Sequence, residues 1–311
     1  MPPMQWYDHY TVAMPEITDP QEVRYFPEVV TLEHNKAMMY YDTRQGPKWS
    51  MLTLHGGSVV TETSFAVPSL LAETATMCRL LKVGDTVLVY AYQKRDSGTV
   101  SYVYEYRLGD CTWNKLAVTG DTPPCRHSAL MFALGDSSFV LAGGCELETG
   151  MHIPDAWLFD RERLVWTQLR DVPYGLGVYS VGITQGQAST ILGGTGYRLC
   201  VDCDRCVIER ERWVYCGRSD KQLFRVYASL GISYHLILLT EMVGKERDDP
   251  AICVLDTVSN DLIPCIPLPI TCNTGCSATM LNPTTALVVS GTSTLVVDVL
   301  PEVLGPDIYS E

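Results

Sequence analysis

The feature that most constrains this chain is a period of about fifty residues, carried by large aromatic side chains. Tryptophans stand at positions 6, 49, 113, 157, 166 and 213. With Trp157 set aside, the gaps are 43, 64, 53 and 47, and Leu262 follows in phase 49 residues further on. Seven residues before four of these marks stand Tyr106, Phe159, Cys206 and Leu255. The spacing predicts one inward side chain, a turn, and a large apolar residue opposite it on the next antiparallel strand. Flat rings suit that slot because stacked sheets leave a layer to be filled between them.

Upstream of each pair runs a short apolar strand. Phe139-Val140-Leu141-Ala142-Gly143-Gly144 is the clearest, and Ile191-Leu192-Gly193-Gly194 repeats it. Arg126-His127-Ser128-Ala129 reads as the first strand of the same unit, and Arg79, Tyr179, Tyr227 and Cys276 lie in phase with His127 at gaps of 48, 52, 48 and 49. Helical periodicity is absent over long runs, and Pro68 to Leu81 alone suits a helical turn.

A chain of 311 residues forms one domain only if the architecture grows by repetition. The expected fold is therefore an all-β propeller over residues 1–311, with six four-stranded blades; five or seven remain open, because the first blade is poorly marked. Open sheet edges are a liability, so ring closure is expected through pairing of the chain ends. Residues 1–9, with Trp6, would supply the outer strand of the last blade, beside Val288 and Leu295. The first blade would run from about Tyr10 to Leu54 and end in Trp49-Ser50-Met51-Leu52. Gly56-Gly57 reads as a turn after it, within an insertion over 55–81.

The formal net charge of −13 works against a surface that tracks phosphates, and the basic stretch Arg205 to Arg212 is interrupted by Glu209 and Glu211. No DNA partner is expected. No apolar run approaches the roughly 20 residues that cross a bilayer, and Met1 to Tyr10 lacks signal-peptide character. The expectation is a cytoplasmic protein without membrane contact, its twelve cysteines mostly reduced.

Pro123-Pro124-Cys125-Arg126-His127-Ser128-Ala129, Leu141-Ala142-Gly143-Gly144, Asp155-Ala156-Trp157-Leu158-Phe159-Asp160 and Trp166 together resemble a kelch repeat. A narrower resemblance rests on Ala75-Thr76-Met77-Cys78-Arg79, the Cys125 to Ala129 run, Leu223-Phe224-Arg225-Val226-Tyr227, Val254-Leu255-Asp256 and His9-Tyr10-Thr11-Val12. These are similar to the C-terminal kelch domain of the tRNA wybutosine-synthesising protein 4 family, whose methyltransferase half binds S-adenosylmethionine. This chain shows no Gly-rich strand-turn-helix of that kind, so no catalytic residue carries over and no cofactor is expected.

Chemistry-bearing residues are few. Cys200, Cys203, Cys206 and Cys216 can supply four thiolates to zinc, but their spacing is not that of a zinc ribbon, and a structural role is favoured. Arg79, Arg126, His127, Tyr179 and Tyr227 would line one channel mouth. The two arginines are the better binding candidates, because a buried guanidinium seeks an acidic partner. For His127 a backbone hydrogen bond inside the fold is the favoured role. Ser128 beside it is expected to face the opposite way, as strand neighbours do.

These observations imply a binding module, non-catalytic by itself, with a protein partner. The resemblance implies that it assists a methyltransferase in wybutosine modification of phenylalanine tRNA, touching the tRNA indirectly. The alternatives are a generic kelch adaptor, such as a ubiquitin-ligase substrate receptor, and a kelch-fold enzyme.

Overall fold

The computed structural model describes residues 7–13, 27–62, 65–74, 76–96, 98–147, 149–172, 181–185, 188–193, 203–209, 212–219, 226–232, 235–241, 250–256, 262–267, 276–290 and 293–299. For 7–13 and for the strands between 181 and 267, it is the backbone path that is described. The chain forms two compact units, Met1–Ala75 with Ala228–Glu311, and Thr76–Tyr227.

The first unit contains the antiparallel sheet Glu28–Glu33, Lys36–Thr43, Gly46–His55 and Ser58–Glu62. Its turns follow from their sequences. Asn35 takes φ 61° between the first two strands, and Gly56 and Gly57 take φ 54° and 81° between the last two, the left-handed pair that a tight hairpin demands. A second sheet joins Cys276–Asn282, Thr285–Ser290 and Ser293–Val299 to the N-terminal strand Tyr7–Ala13, with Tyr7 opposite Val299 and Ala13 opposite Ser293. The chain ends therefore meet in one sheet. The N-terminal strand runs over 7–13, not the expected 1–9, and Trp6 lies outside the described residues.

These two sheets pack face to face. Val29, Ala37, Met39, Tyr41 and Leu52 of one form a single buried cluster with Leu281, Leu287, Val289 and Val296 of the other. Polar side chains fasten the first strands. Thr279 Oγ1 accepts from the Thr31 amide at 3.0 Å, Ser277 Oγ accepts from the Val29 amide at 3.2 Å, and the Asn35 amide donates to the Leu281 carbonyl at 2.8 Å. Strands Val226–Ile232, His235–Glu241, Pro250–Asp256 and Leu262–Pro267 make a further four-stranded sheet.

Trp49 breaks the expected phase. It lies on the third strand of its sheet, opposite Tyr40 at a ring separation of 4.9 Å, and its indole donates to the Leu71 carbonyl at 3.2 Å. Trp113 and Trp166 lie on fourth strands, directly opposite Tyr106 and Phe159. The 64-residue gap thus reflects a change of strand more than an insertion. Residues 58–62 are the fourth strand and Thr76–Val83 the first of the next sheet, so the insertion over 55–81 is corrected to a connection that contains the short helical turn Leu70–Thr74. Cys206 is likewise not opposite Trp213; it faces Tyr215.

The second unit contains the sheet Thr76–Val83, Thr86–Arg95, Gly98–Arg107 and Thr112–Lys115, and the sheet Leu130–Ala133, Ser138–Ala142, Ala156–Asp160 and Val165–Gln168. Between them, Tyr90, Leu88 and Val103 share one core with Phe139, Leu141, Trp157, Phe159 and Trp166. Trp166 meets Tyr90 edge-on at 6.3 Å and Phe139 edge-on at 5.2 Å, the geometry that ring quadrupoles prefer. A third sheet, Val181–Gln185, Ala188–Gly193, Cys203–Glu209 and Arg212–Ser219, completes the unit.

The architecture is all-β, a propeller-like arrangement of small antiparallel sheets. The expected closed ring of six blades is not what the described residues establish. Four of the four-stranded sheets have side chains described over most of their length, those starting at Glu28, Thr76, Leu130 and Cys276.

An ion-pair network ties the two main sheets of the second unit. Arg161 donates to Thr86 Oγ1 at 2.7 Å and to Glu105 Oε2 at 3.2 Å, while Arg107 Nε and Asn114 Nδ2 reach Glu105 Oε1 at 2.9 and 3.2 Å. Burial pushes the Glu105 carboxyl up, but these donors outweigh it and hold it below its usual 4.5. A depressed carboxylate stabilises the fold above its unfolded pKa, and that contribution is lost as pH falls through the folded value. Arg161→Ala should cost about 1–3 kcal/mol near neutral pH, because it leaves Glu105 and Thr86 short of a donor. Urea unfolding at neutral and at acid pH should show that cost shrinking once Glu105 protonates.

Candidate functional site

The second unit carries an open cleft of about 470 Å³ beside the strand Gly98–Arg107. Thr99, Ser101, Tyr102, Lys115, Val118 and Cys125 are among its lining residues. Strand lengths create the opening. The third strand of this sheet has ten residues and the fourth only four, paired from Tyr104 opposite Lys115 to Arg107 opposite Thr112. Beyond Lys115 the chain keeps one more bond, Leu116 N to Val103 O at 2.9 Å, and then leaves. Pro123 and Pro124 line the cleft further on and offer no donor that would resume the ladder.

The far wall is held by Arg126. Its side chain has no exposed surface. Nε donates to the Pro124 carbonyl at 3.0 Å, Nη1 to the Gly143 carbonyl at 3.2 Å and to Asp155 Oδ1, and Nη2 to Asp155 Oδ2 at 3.0 Å. Asp155 Oδ2 also accepts from the Trp157 indole at 2.9 Å. The guanidinium thus finds its acid inside its own repeat, and its work is to fix the segment that ends at Cys125.

Arg126 and His127 do not begin the blade's first strand, as the motif suggested. They form a separate two-stranded ladder with Cys145–Glu146, and the sheet starts at Leu130. Ser128, at φ 56°, separates the two. That left-handed residue also cancels strand alternation, so the expectation that His127 and Ser128 face opposite ways is corrected: His127 Nδ1 lies 3.1 Å from Ser128 Oγ. Gly144 packs beneath this kink. A Cβ at its φ of +91° would come within 2.6 Å of the His127 carbonyl oxygen, which is the reason for glycine there. Nearby, Cys145 Sγ stands 3.7 Å from His152 Nδ1, and burial pushes that thiol's pKa up.

At the cleft, Tyr102 is the charged hub. Lys115 Nζ lies 4.1 Å from its ring centroid, the Arg95 guanidinium lies at 5.8 Å, and Arg95 donates to its hydroxyl. On the floor, the Ser101 hydroxyl approaches the Cys125 thiol, whose pKa burial pushes up. Behind it the Tyr90 phenol is buried and its pKa raised, burial being the main cause. The site pairs cations with aromatic and apolar walls, a combination suited to anchoring an acidic ligand.

Of the residues expected to bind, Arg126 is internal and His127 half-buried. Arg79, half-buried, lies opposite Tyr90 on the first strand of its sheet. Tyr179 lies outside the described residues, as does Cys200; Tyr227, Cys203, Cys206 and Cys216 lie on strands whose side chains are not described. Among the described residues there is no cluster of three or more metal-ligating side chains. Tyr102 and Lys115 were not signalled by the repeat. The available hint was a strand pattern in Gly98 to Arg107 that outlasts the pattern around Trp113.

The fold defines a β-propeller-type protein. A solved structure with the same arrangement is that of YjhT, itself of β-propeller type, which superposes with a TM-score of 0.63 at 11% identity over 90% of this chain and 95% of the other. At that identity the likeness shows the fold alone, and it does not support the wybutosine resemblance. No protein-family model matches the sequence, and no curated protein matches it. Among the described residues, no helix is long and apolar enough to cross a membrane.

Two measurements check this site. Arg126→Ala should destabilise the protein by about 3–5 kcal/mol, since it strands the Asp155 carboxylate in the interior; Arg126→Lys should recover only part of the loss in urea unfolding, lacking the fork. Burial first, and His152 second, lower the pKa of His127 from its usual 6.5. The unfolded chain therefore binds this proton more readily, so stability is full above the ordinary histidine pKa and declines as pH falls from there to the folded value. His127→Asn should flatten that part of the profile of melting temperature against pH.

Proposed function

We propose that the chain is a propeller-type binding module, non-catalytic by itself, that holds a protein partner at the Tyr102–Lys115 cleft. The observation that carries this reading is a built recess whose floor and walls are fixed by the fold while its cations stay accessible. A chain of net charge −13 that keeps two cations on one tyrosine ring beside apolar walls has the makings of a selective contact. Residues 1–311 are read as one propeller, in keeping with the share of the chain that the YjhT superposition covers. The finer reading, in which the module assists a methyltransferase in wybutosine modification of phenylalanine tRNA, draws on the sequence motifs alone. The channel-mouth set of Arg79, His127, Tyr179 and Tyr227 remains a second contact surface within this proposal, and a cytoplasmic setting belongs to it too.

The test is site-specific photocrosslinking in the cell of origin. A benzophenone side chain placed at Val100, which is 38% exposed in the cleft, should capture a defined protein that the same group at Val60, 54% exposed in the other unit, does not. Lys115→Glu should abolish the capture. Recovery of phenylalanine tRNA or a methyltransferase at Val100 would favour the finer reading. Equal capture at both positions would sink the cleft as the binding site.

A further inference from the structure

The cleft borders a length of strand whose outer edge is unpaired among the described residues. On this basis, which rests on the cleft being a binding site, we propose that the partner binds as an extended acidic peptide that adds a strand to Thr99–Ser101. The polarity of the edge follows from one hydrogen bond. Leu116 N donates to Val103 O, so the amide and carbonyl of Val103 point outward. In a β-strand, alternate residues share that direction. Ser101 and Thr99 therefore turn their N–H and C=O groups to the cleft, while Val100 and Tyr102 direct theirs inward, opposite Gln93 and Ala91.

The inner side of this strand is fully engaged, residue by residue, from Arg95 opposite Gly98 to Tyr90 opposite Val103. Its outer partner has departed after four residues. An exposed row of donors and acceptors beside a recess is the template used in strand addition. Neither Thr99 nor Ser101 is buried, so the groups are reachable. The recess, about 470 Å³, has room for side chains from one face of such a strand.

Charge selects the occupant. Lys115 lines the cleft and sits over the Tyr102 ring, and Arg95, outside the cleft wall, binds the same tyrosine. Among the described residues no carboxylate lines the recess; Asp96 and Glu105 are not part of its wall. A peptide carboxylate seated at Lys115 gains a charge-assisted contact. Apolar side chains that alternate with the carboxylates, on the strand's other face, would meet Leu116. A nucleic-acid strand has phosphates for the cations but no backbone that pairs with a β-edge. A second copy of this chain would bring net negative charge but would also show as self-association.

The probes are a synthetic eight-residue peptide alternating valine with aspartate, its lysine-for-aspartate counterpart, and a version N-methylated at alternate residues. Affinity is read by fluorescence polarisation. The amides of Thr99 and Ser101 are read by residue-resolved hydrogen exchange. Expected are binding of the aspartate peptide, slowed exchange at Thr99 and Ser101, and a loss of about tenfold for each outward hydrogen bond blocked by N-methylation. Lys115→Glu should weaken binding about tenfold and reverse the preference between the two charged peptides. Ser101→Pro, checked for an unchanged fold by circular dichroism, should remove one outward donor and weaken binding similarly.

The inference is overturned if the aspartate peptide fails to bind, if the N-methylated version binds as well, or if the two amides stay unprotected. Dimerisation of the chain through this edge would overturn it too. In each of those cases, crosslinking at Val100 still judges separately whether the cleft holds a partner.

Discussion

A guanidinium with no exposed surface has to be paid for within the fold, and in the second unit much else follows from that requirement. Arg126 is desolvated, so its charge needs a carboxylate and its remaining donors need carbonyls. Asp155 provides the first, and Pro124 and Gly143 the second. These contacts gather three stretches distant in sequence: the segment before the sheet, the glycine pair that ends its second strand, and the entry to its third strand. Asp155 also orients Trp157, which sits in the shared core with Phe139 and Trp166. One ion pair therefore sets the core aromatics and the position of Cys125 at the cleft.

The same fixation explains the kink at His127 and Ser128. With Arg126 held inward, the chain cannot run straight into the strand Leu130–Ala133, and it makes its turn at a serine in the left-handed region. The cost of about 1–3 kcal/mol for such a residue is bearable only where its surroundings leave no alternative. Gly144 supplies the clearance below, and the Arg126–Asp155 pair supplies the tether. Strain, clearance and tether form one device whose visible product is the wall of the recess.

Much of this was legible beforehand. The Tyr106–Trp113 and Phe159–Trp166 pairs fall opposite one another as their seven-residue spacing implied, because a short turn between antiparallel strands converts a fixed separation into a fixed register. Pairing of the chain ends was readable from the missing fourth strand after Thr294–Val299. Trp49 was misread because a tryptophan fills the layer between sheets equally well from a third strand or a fourth, and spacing alone does not tell them apart. The pairing of Ser128 with His127 was misread because strand alternation was assumed at a residue whose φ breaks it. Arg126 was expected to hold an acidic partner at a channel mouth, but it meets its acid inside the fold, 29 residues away in the same repeat, a contact that sequence separation does not reveal.

By itself the sequence determined the class of structure: a β-rich chain with a fifty-residue aromatic period, since alternation and turn chemistry are local and repetition makes them additive. It also set the net charge of −13, a sum over residues that works against tracking phosphates. Only the tertiary structure decided where the opening lies. The cleft exists because one strand outruns its neighbour and because a buried arginine fixes the segment that forms the far wall, while Lys115 and Arg95 reach Tyr102 from different strands. Those are relations between distant residues, and a linear pattern holds no record of them until the sheets have packed.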